Sequence, residues 1–150
     1  SGVIVNVSSI AGRVAPPYSG AYAASKHALE ALTESLHFEV SHLGIRVHLI
    51  EPGRFPTNFS DNIVFPPTWE GSPHEDRALI FRDSLTSLDG DGTPADPQFV
   101  ADSIVRAATD PSTPFRTLVG GDAELIDATK TSMSFEDFET TMRTALDWHD

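Results

Sequence analysis

The chain has 150 residues, 39% hydrophobic and 21% charged, which is the balance of one folded globular domain and not of a disordered tail. Its formal net charge of −12 repels phosphate backbones and anionic lipid, so no nucleic acid and no membrane surface is expected as a partner. It has no cysteine, which excludes disulfides, thiolate nucleophiles and cysteine-ligated metals. No apolar run approaches the ~20 residues of a transmembrane helix, no signal-peptide leader opens the sequence, and the expected compartment is cytoplasmic.

Val3-Ile4-Val5-Asn6-Val7 is a short, β-branched apolar run and predicts a buried strand from the middle of a parallel sheet. Such a strand needs neighbours on both sides, so a sequence that begins inside it raises the expectation that something belongs upstream. Ser8 to Gly12 opens a loop, and Pro16-Pro17-Tyr18-Ser19-Gly20 keeps the chain irregular. A helix follows from about Ala21 to His42, with Leu29, Leu32, Leu36, Val40 and Leu43 on one stripe and Gly44 at its C-cap. Ile45 to Ile50 predicts a second strand, ended by Glu51-Pro52-Gly53. Strand, helix and strand in succession make a βαβ unit with parallel strands.

Residues 54–96 are rich in proline, glycine and acids, with a helix expected from about Glu75 to Leu88; a stretch of this length reads as a substrate loop or lid. Its Phe55, Phe59, Ile63, Val64, Phe65 and Trp69 either line a pocket or only pack the loop onto the body. Asp96-Pro97 is a helix start, with Val100, Ile104, Ala107 and Ala108 as the buried face. Thr117 to Val119 predicts a third strand, and Phe135 to Trp148 a final acidic helix.

The chemistry gathers around Tyr22-Ala-Ala-Ser-Lys26. Side chains four residues apart share a helix face, so the Lys26 ammonium is expected beside the Tyr22 hydroxyl. A nearby cation favours the phenolate and lowers a tyrosine pKa from its reference near ~10, the tuning a general acid or base needs. Alone, the pair is equally an accident of a solvated helix face. Ser9 at the end of the first strand, and Pro52-Gly53 at the end of the second, converge on the same carboxyl rim, where ligands bind in open parallel sheets.

Asn6-Val7-Ser8-Ser9-Ile10-Ala11-Gly12, Tyr22-Ala-Ala-Ser-Lys26 and Pro52-Gly53-Arg54-Phe55-Pro56-Thr57 together resemble the short-chain dehydrogenase/reductase family. Arg116 to Ala123 is similar to the family's last strand. The spacing from the tyrosine selects Ser9 over Ser8 as the family's serine. The resemblance implies catalytic roles for Ser9, Tyr22 and Lys26, and NAD or NADP contacts from Tyr22, Lys26, Pro52, Gly53 and Thr57. Tyr22 would move the proton, Ser9 would orient the substrate oxygen, and Lys26 would also hold the nicotinamide ribose. Glu51 before Pro-Gly, with Asn58-Phe59 after it, is similar to the hydroxysteroid- and retinol-dehydrogenase-like branch, which implies a small apolar alcohol or carbonyl substrate. The family also implies a homo-oligomer through the 21–43 helix.

The family's Thr-Gly-rich pyrophosphate turn, its NAD/NADP-selecting residue and its Asn-Asn-Ala-Gly element have no counterpart here. The sequence therefore corresponds to the C-terminal half of a doubly wound, parallel, Rossmann-type α/β domain. The isolated chain is expected to be an inactive fragment. The competing reading is a non-catalytic interaction module pairing through its sheet edge or long helix. No metal is expected: the six histidines lack ligand spacing, and Asp89-Gly90-Asp91 resembles a calcium loop whose twelfth position is Val100 instead of glutamate. Asn6-Val7-Ser8 and Asn58-Phe59-Ser60 match glycosylation acceptors by chance.

Overall fold

A computed structural model of the chain describes residues 1–65, 67–85 and 95–148. In chain order the elements are β1 (Gly2–Val7), α1 (Gly20–Val40), β2 (Ile45–Pro52), α2 (Glu75–Ser84), α3 (Gln98–Thr109), β3 (Arg116–Val119), α4 (Gly121–Ser132) and α5 (Phe135–Ala145). The strands form one parallel sheet in the order β1-β2-β3. Val7 stands opposite Ile50 and Pro52 opposite Val119, so the carboxyl ends of all three strands reach one rim.

Among the described residues the central position belongs to β2. Val47 to Glu51 are all buried because β2 has a ladder on each side. β1 pairs with β2 alone, and its Val3 to Asn6 are only half-buried. An apolar run reports that a strand is fit for burial; which neighbours bury it is a long-range property.

Helix α1 runs on into a 3-10 turn, Ser41–Leu43, and stops at Gly44, whose φ of 71° is the left-handed cap the sequence predicts. Its leucine stripe does not supply the buried face: Leu32 is 69% and Leu43 58% exposed. Ala23, Glu30 and Thr33 face the sheet instead. Thr33 earns that position by polar bonding, since its hydroxyl accepts from Asn6 Nδ2 (2.9 Å) and donates to the Leu29 carbonyl (2.6 Å). Asn6 is thereby committed to joining β1 to α1.

On the opposite face Val100, Ile104 and Ala107 of α3 pack with Ile50 and Val119. Asp96 starts the helix by accepting from the Gln98 N–H (2.8 Å). Ala108 is exposed, contrary to its predicted place in the core. Its carbonyl, with those of Ala107 and Asp110, accepts from the Arg46 guanidinium (2.9–3.1 Å), which caps the helix end. Helix α4 has no counterpart among the predicted elements; its Ala123 joins Ile10 and Val14 in a second small core. Helix α5 ends at Ala145, short of Trp148, and is started by Ser134, whose hydroxyl accepts from the Asp137 N–H (3.2 Å). Helix α2 ends at Ser84. The predicted extension to Leu88, the 86–94 part of the lid, the Asp89-Gly90-Asp91 turn and His149 lie outside the described residues.

Strands and α1 meet in a buried charge cluster. Glu51, 1% exposed, accepts from Arg116 Nη1 at 3.0 Å and stands 3.8 Å from Arg13 Nη1. Arg116 also pairs with Glu30 and, through Nη2 at 2.6 Å, with Glu34, while Arg13 pairs with Asp127. Burial pushes the Glu51 carboxyl up from 4.5 to about 7, helped by the hydrogen bond and negative charge of Glu30 and opposed by Arg116 and Arg13. The folded protein therefore holds a proton that the unfolded chain has lost between those two values. The contribution of Glu51 to stability is fully present below 4.5 and declines as pH rises to about 7. By linkage the decline is on the order of 3 kcal/mol. Glu51→Gln removes the titration, so urea denaturation at pH 5 and pH 8 is expected to show a flatter pH dependence in the variant; parallel profiles would contradict the shift.

Candidate active site

At the carboxyl end of β1 the Ser8 N–H donates to the Ile50 carbonyl (2.7 Å), carrying the ladder one residue past the strand. Ser9 then starts a 3-10 turn, Ile10–Gly12: its backbone is extended and its hydroxyl accepts from the Ala11 N–H at 3.1 Å. The same hydroxyl donates to the Pro52 carbonyl at 3.4 Å, so Ser9 links the ends of β1 and β2. This turn lies close under α1. A Cβ on Gly12 would stand 2.8 Å from Glu30 Cγ and 2.9 Å from the Ser8 hydroxyl, and only glycine fits.

Tyr22 and Lys26 occupy the first two turns of α1, whose amino end opens on the same rim. The ammonium lies 5.7 Å from the centre of the Tyr22 ring, within cation–π range. It also donates to the Val7 carbonyl at 3.1 Å, the last residue of β1. The ammonium therefore faces the phenol ring, with the lysine held by the strand end. Phe59 completes the surroundings of the phenol, its ring 5.3 Å from that of Tyr22 at an interplanar angle of 53°.

Thr57 belongs to this group indirectly: its hydroxyl accepts from the Phe59 N–H at 3.3 Å, fixing the residue that covers Tyr22. The other aromatic residues of the loop divide. Phe55 packs into the core beside Ile50 and Val119, whereas Phe65 and Trp69 stack on each other with centroids 5.2 Å apart. A separate apolar cavity of about 250 Å³ opens between the Val14–Pro17 segment, α2 and α5, with Phe81, Phe138, Met142 and Trp148 in its wall.

Gly53 sits against an acidic side chain. Its N–H donates to the Val119 carbonyl (2.9 Å), and the space a Cβ would fill is taken by the Asp122 carboxylate. Asp122 Oδ2 accepts from the Arg54 N–H at 2.7 Å. The sequence gives one signal for this residue, an acid directly after Gly120-Gly121 at the carboxyl end of a strand, where a helix begins. Glu51, Glu30, Arg116 and Arg13 were equally hidden, since their pairing joins residues far apart in the chain.

The parallel βαβ sheet thus carries a phenol, an ammonium and a hydroxyl on its carboxyl rim, the architecture of an α/β domain with a site at its strand ends. Residues 1–65 match the family model for short chain dehydrogenase. The chain is 53% identical over 84 residues to the uncharacterized oxidoreductase YbbO of Escherichia coli K12, an alignment covering 56% of this chain and 30% of that protein. With the 3-ketodihydrosphingosine reductase of Bacteroides thetaiotaomicron it shares 37% identity over 120 residues, 79% of this chain and 44% of that one. A short chain dehydrogenase from Burkholderia cenocepacia J2315 in complex with NADP superposes with a TM-score of 0.64 over 97% of this chain and 47% of that one; at 21% identity this is a likeness of fold. The chain spans less than half the length of each of these proteins. Among the described residues no helix is long and apolar enough to cross a membrane.

Gly12→Ala is expected to lower stability by about 1–3 kcal/mol, because α1 and the Ser9 turn are pushed apart. A thermal melt followed by circular dichroism checks this, and an unchanged midpoint would show that the turn has room to spare.

Proposed function

We propose that the whole protein interconverts an alcohol and a ketone or aldehyde using NAD or NADP, with Tyr22 as the proton carrier, Ser9 as the orienting hydroxyl and Lys26 as the charge beside them. The observation that carries this reading is the double engagement of Lys26, over the Tyr22 ring and on the Val7 carbonyl. It keeps a positive charge within cation–π range of the phenol, where it would favour the negative charge that forms when the phenol gives up its proton. Ser9 lies on the same rim, and to orient a substrate oxygen its hydroxyl would turn its proton away from the Pro52 carbonyl.

The residues fit the nicotinamide end of a dinucleotide: an ammonium and a phenol to bond a ribose, and the Pro52-Gly53 backbone and Thr57 beside them. When bound, the cofactor supplies or accepts the hydride. The glycine-rich turn that would cradle its pyrophosphate is not found in these 150 residues. The isolated chain is accordingly proposed to be inactive. A small, apolar substrate suits the aromatic surroundings, with Phe59 on the phenol and the cavity beside α2 and α5 close to the loop that follows Ser9.

A second reading, an interaction surface, draws on the exposed Leu32 and Phe38 of α1 and Leu43 of the 3-10 turn that follows it. It is compatible with catalysis, since α1 would then join two copies of an active protein.

Fluorescence titration of the isolated chain with NADH and NADPH is expected to give no tight binding; micromolar affinity would overturn the proposed fragment status. In the whole protein Tyr22→Phe is expected to lower kcat by about 10²–10⁴-fold with cofactor affinity retained. Near-normal turnover in that variant would remove Tyr22 from the mechanism.

A further inference from the structure

We infer that Asp122 is a positioning residue for the cofactor end of the site, holding the Pro52-Gly53-Arg54 turn in place with its carboxylate. The inference rests on the function proposed above, in which that turn faces the nicotinamide. Asp122 is buried and lies in the first turn of α4, where the helix amino end favours a negative charge. One of its oxygens accepts the Arg54 N–H at 2.7 Å, a charge-assisted bond. The other faces Gly120, where a Cβ would stand only 2.7 Å from it. At Gly53 a Cβ would overlap the carboxylate itself.

Two glycines and one backbone N–H are thus explained by a single side chain. Gly120, at a φ of 106°, turns the chain sharply out of β3 and into α4, so that Asp122 folds back over the end of β2. Gly53 is glycine because the carboxylate occupies its side-chain space. Pro52, the residue before it, carries the carbonyl that accepts from Ser9. Asp122 therefore acts on both halves of the site through one turn: on the backbone facing the cofactor, and on the oxygen that orients the serine. It acts through the turn and needs no contact with the reacting atoms.

The test compares Asp122→Ala, Asp122→Asn, Gly53→Ala and the Asp122→Ala/Gly53→Ala pair in the whole protein. Asp122→Ala is expected to raise the KM for the nicotinamide cofactor about tenfold or more and the KM for substrate less than about threefold. Amide hydrogen exchange at Arg54 is expected to quicken at least about tenfold, with part of the protection restored in Asp122→Asn, which keeps an acceptor oxygen. Gly53→Ala is expected to be damaging alone and better tolerated once Asp122 is alanine, a non-additivity that a purely local glycine effect would not produce. Unchanged Arg54 exchange, equal rises in both KM values, or strictly additive variants would each overturn the inference. Should the wild-type protein neither bind a nicotinamide cofactor nor turn over, the proposed function fails. The role of Asp122 toward a cofactor falls with it, while the exchange and double-variant results still decide whether Asp122 holds the turn.

Discussion

Arg116 reaches from β3 to Glu51 on β2 and to Glu30 and Glu34 on α1, and the arrangement of the sheet under its helix depends on this grip. Three elements are joined by one planar, five-donor group suited to carboxylates on several sides. The cluster is costly. Two acids side by side, one of them 1% exposed, give up hydration that two guanidinium groups only partly return. A buried ionic group of this kind gives little net stability, but it leaves the helix few alternative positions. Glu30 faces inward, Ala23 and Thr33 face inward with it, and Leu32 turns outward. The same orientation brings Tyr22 and Lys26 to the rim, and Gly12 lets the serine turn come close beneath them.

Much of this rim was legible in the sequence because its determinants are local. A phenol and an amine four residues apart on a helix need only the helix to come together. A strand followed by serine, and a strand followed by Pro-Gly, need only parallel pairing to converge. The three strands, α1, and the start of α3 at Asp96 follow from the same short-range rules of period, capping and turn chemistry.

Other features were hidden for a common reason: they join distant residues. Arg13 to Asp127, Arg54 to Asp122 and Arg116 to Glu51 each bridge more than sixty residues of chain. Nothing near Glu30 marks it as a buried acid, and the stripe of leucines beside it argues for the opposite face. Phe55 and Phe59 illustrate the limit from the other side. They are two aromatics of one loop, alike in composition, yet one enters the core and the other covers the phenol.

The order of the ladders bears on how the domain assembles. Pairing of β1 with β2 closes the chain from Gly2 to Ile45, and much of that span is taken up by α1, which forms from local contacts. Pairing of β2 with β3 must close the longer, mostly less regular stretch from Leu49 to Arg116. Loop-closure entropy makes the second step the more expensive one. β3 and α4 bring Arg116 and Asp122 to the β1-α1-β2 unit. The rim's hydroxyl, phenol and ammonium lie within β1, α1 and the turn between them, whereas Arg116 and Asp122 reach them across the longer closure. If that closure comes last, changes at these two charged residues are expected to speed unfolding more than they slow folding.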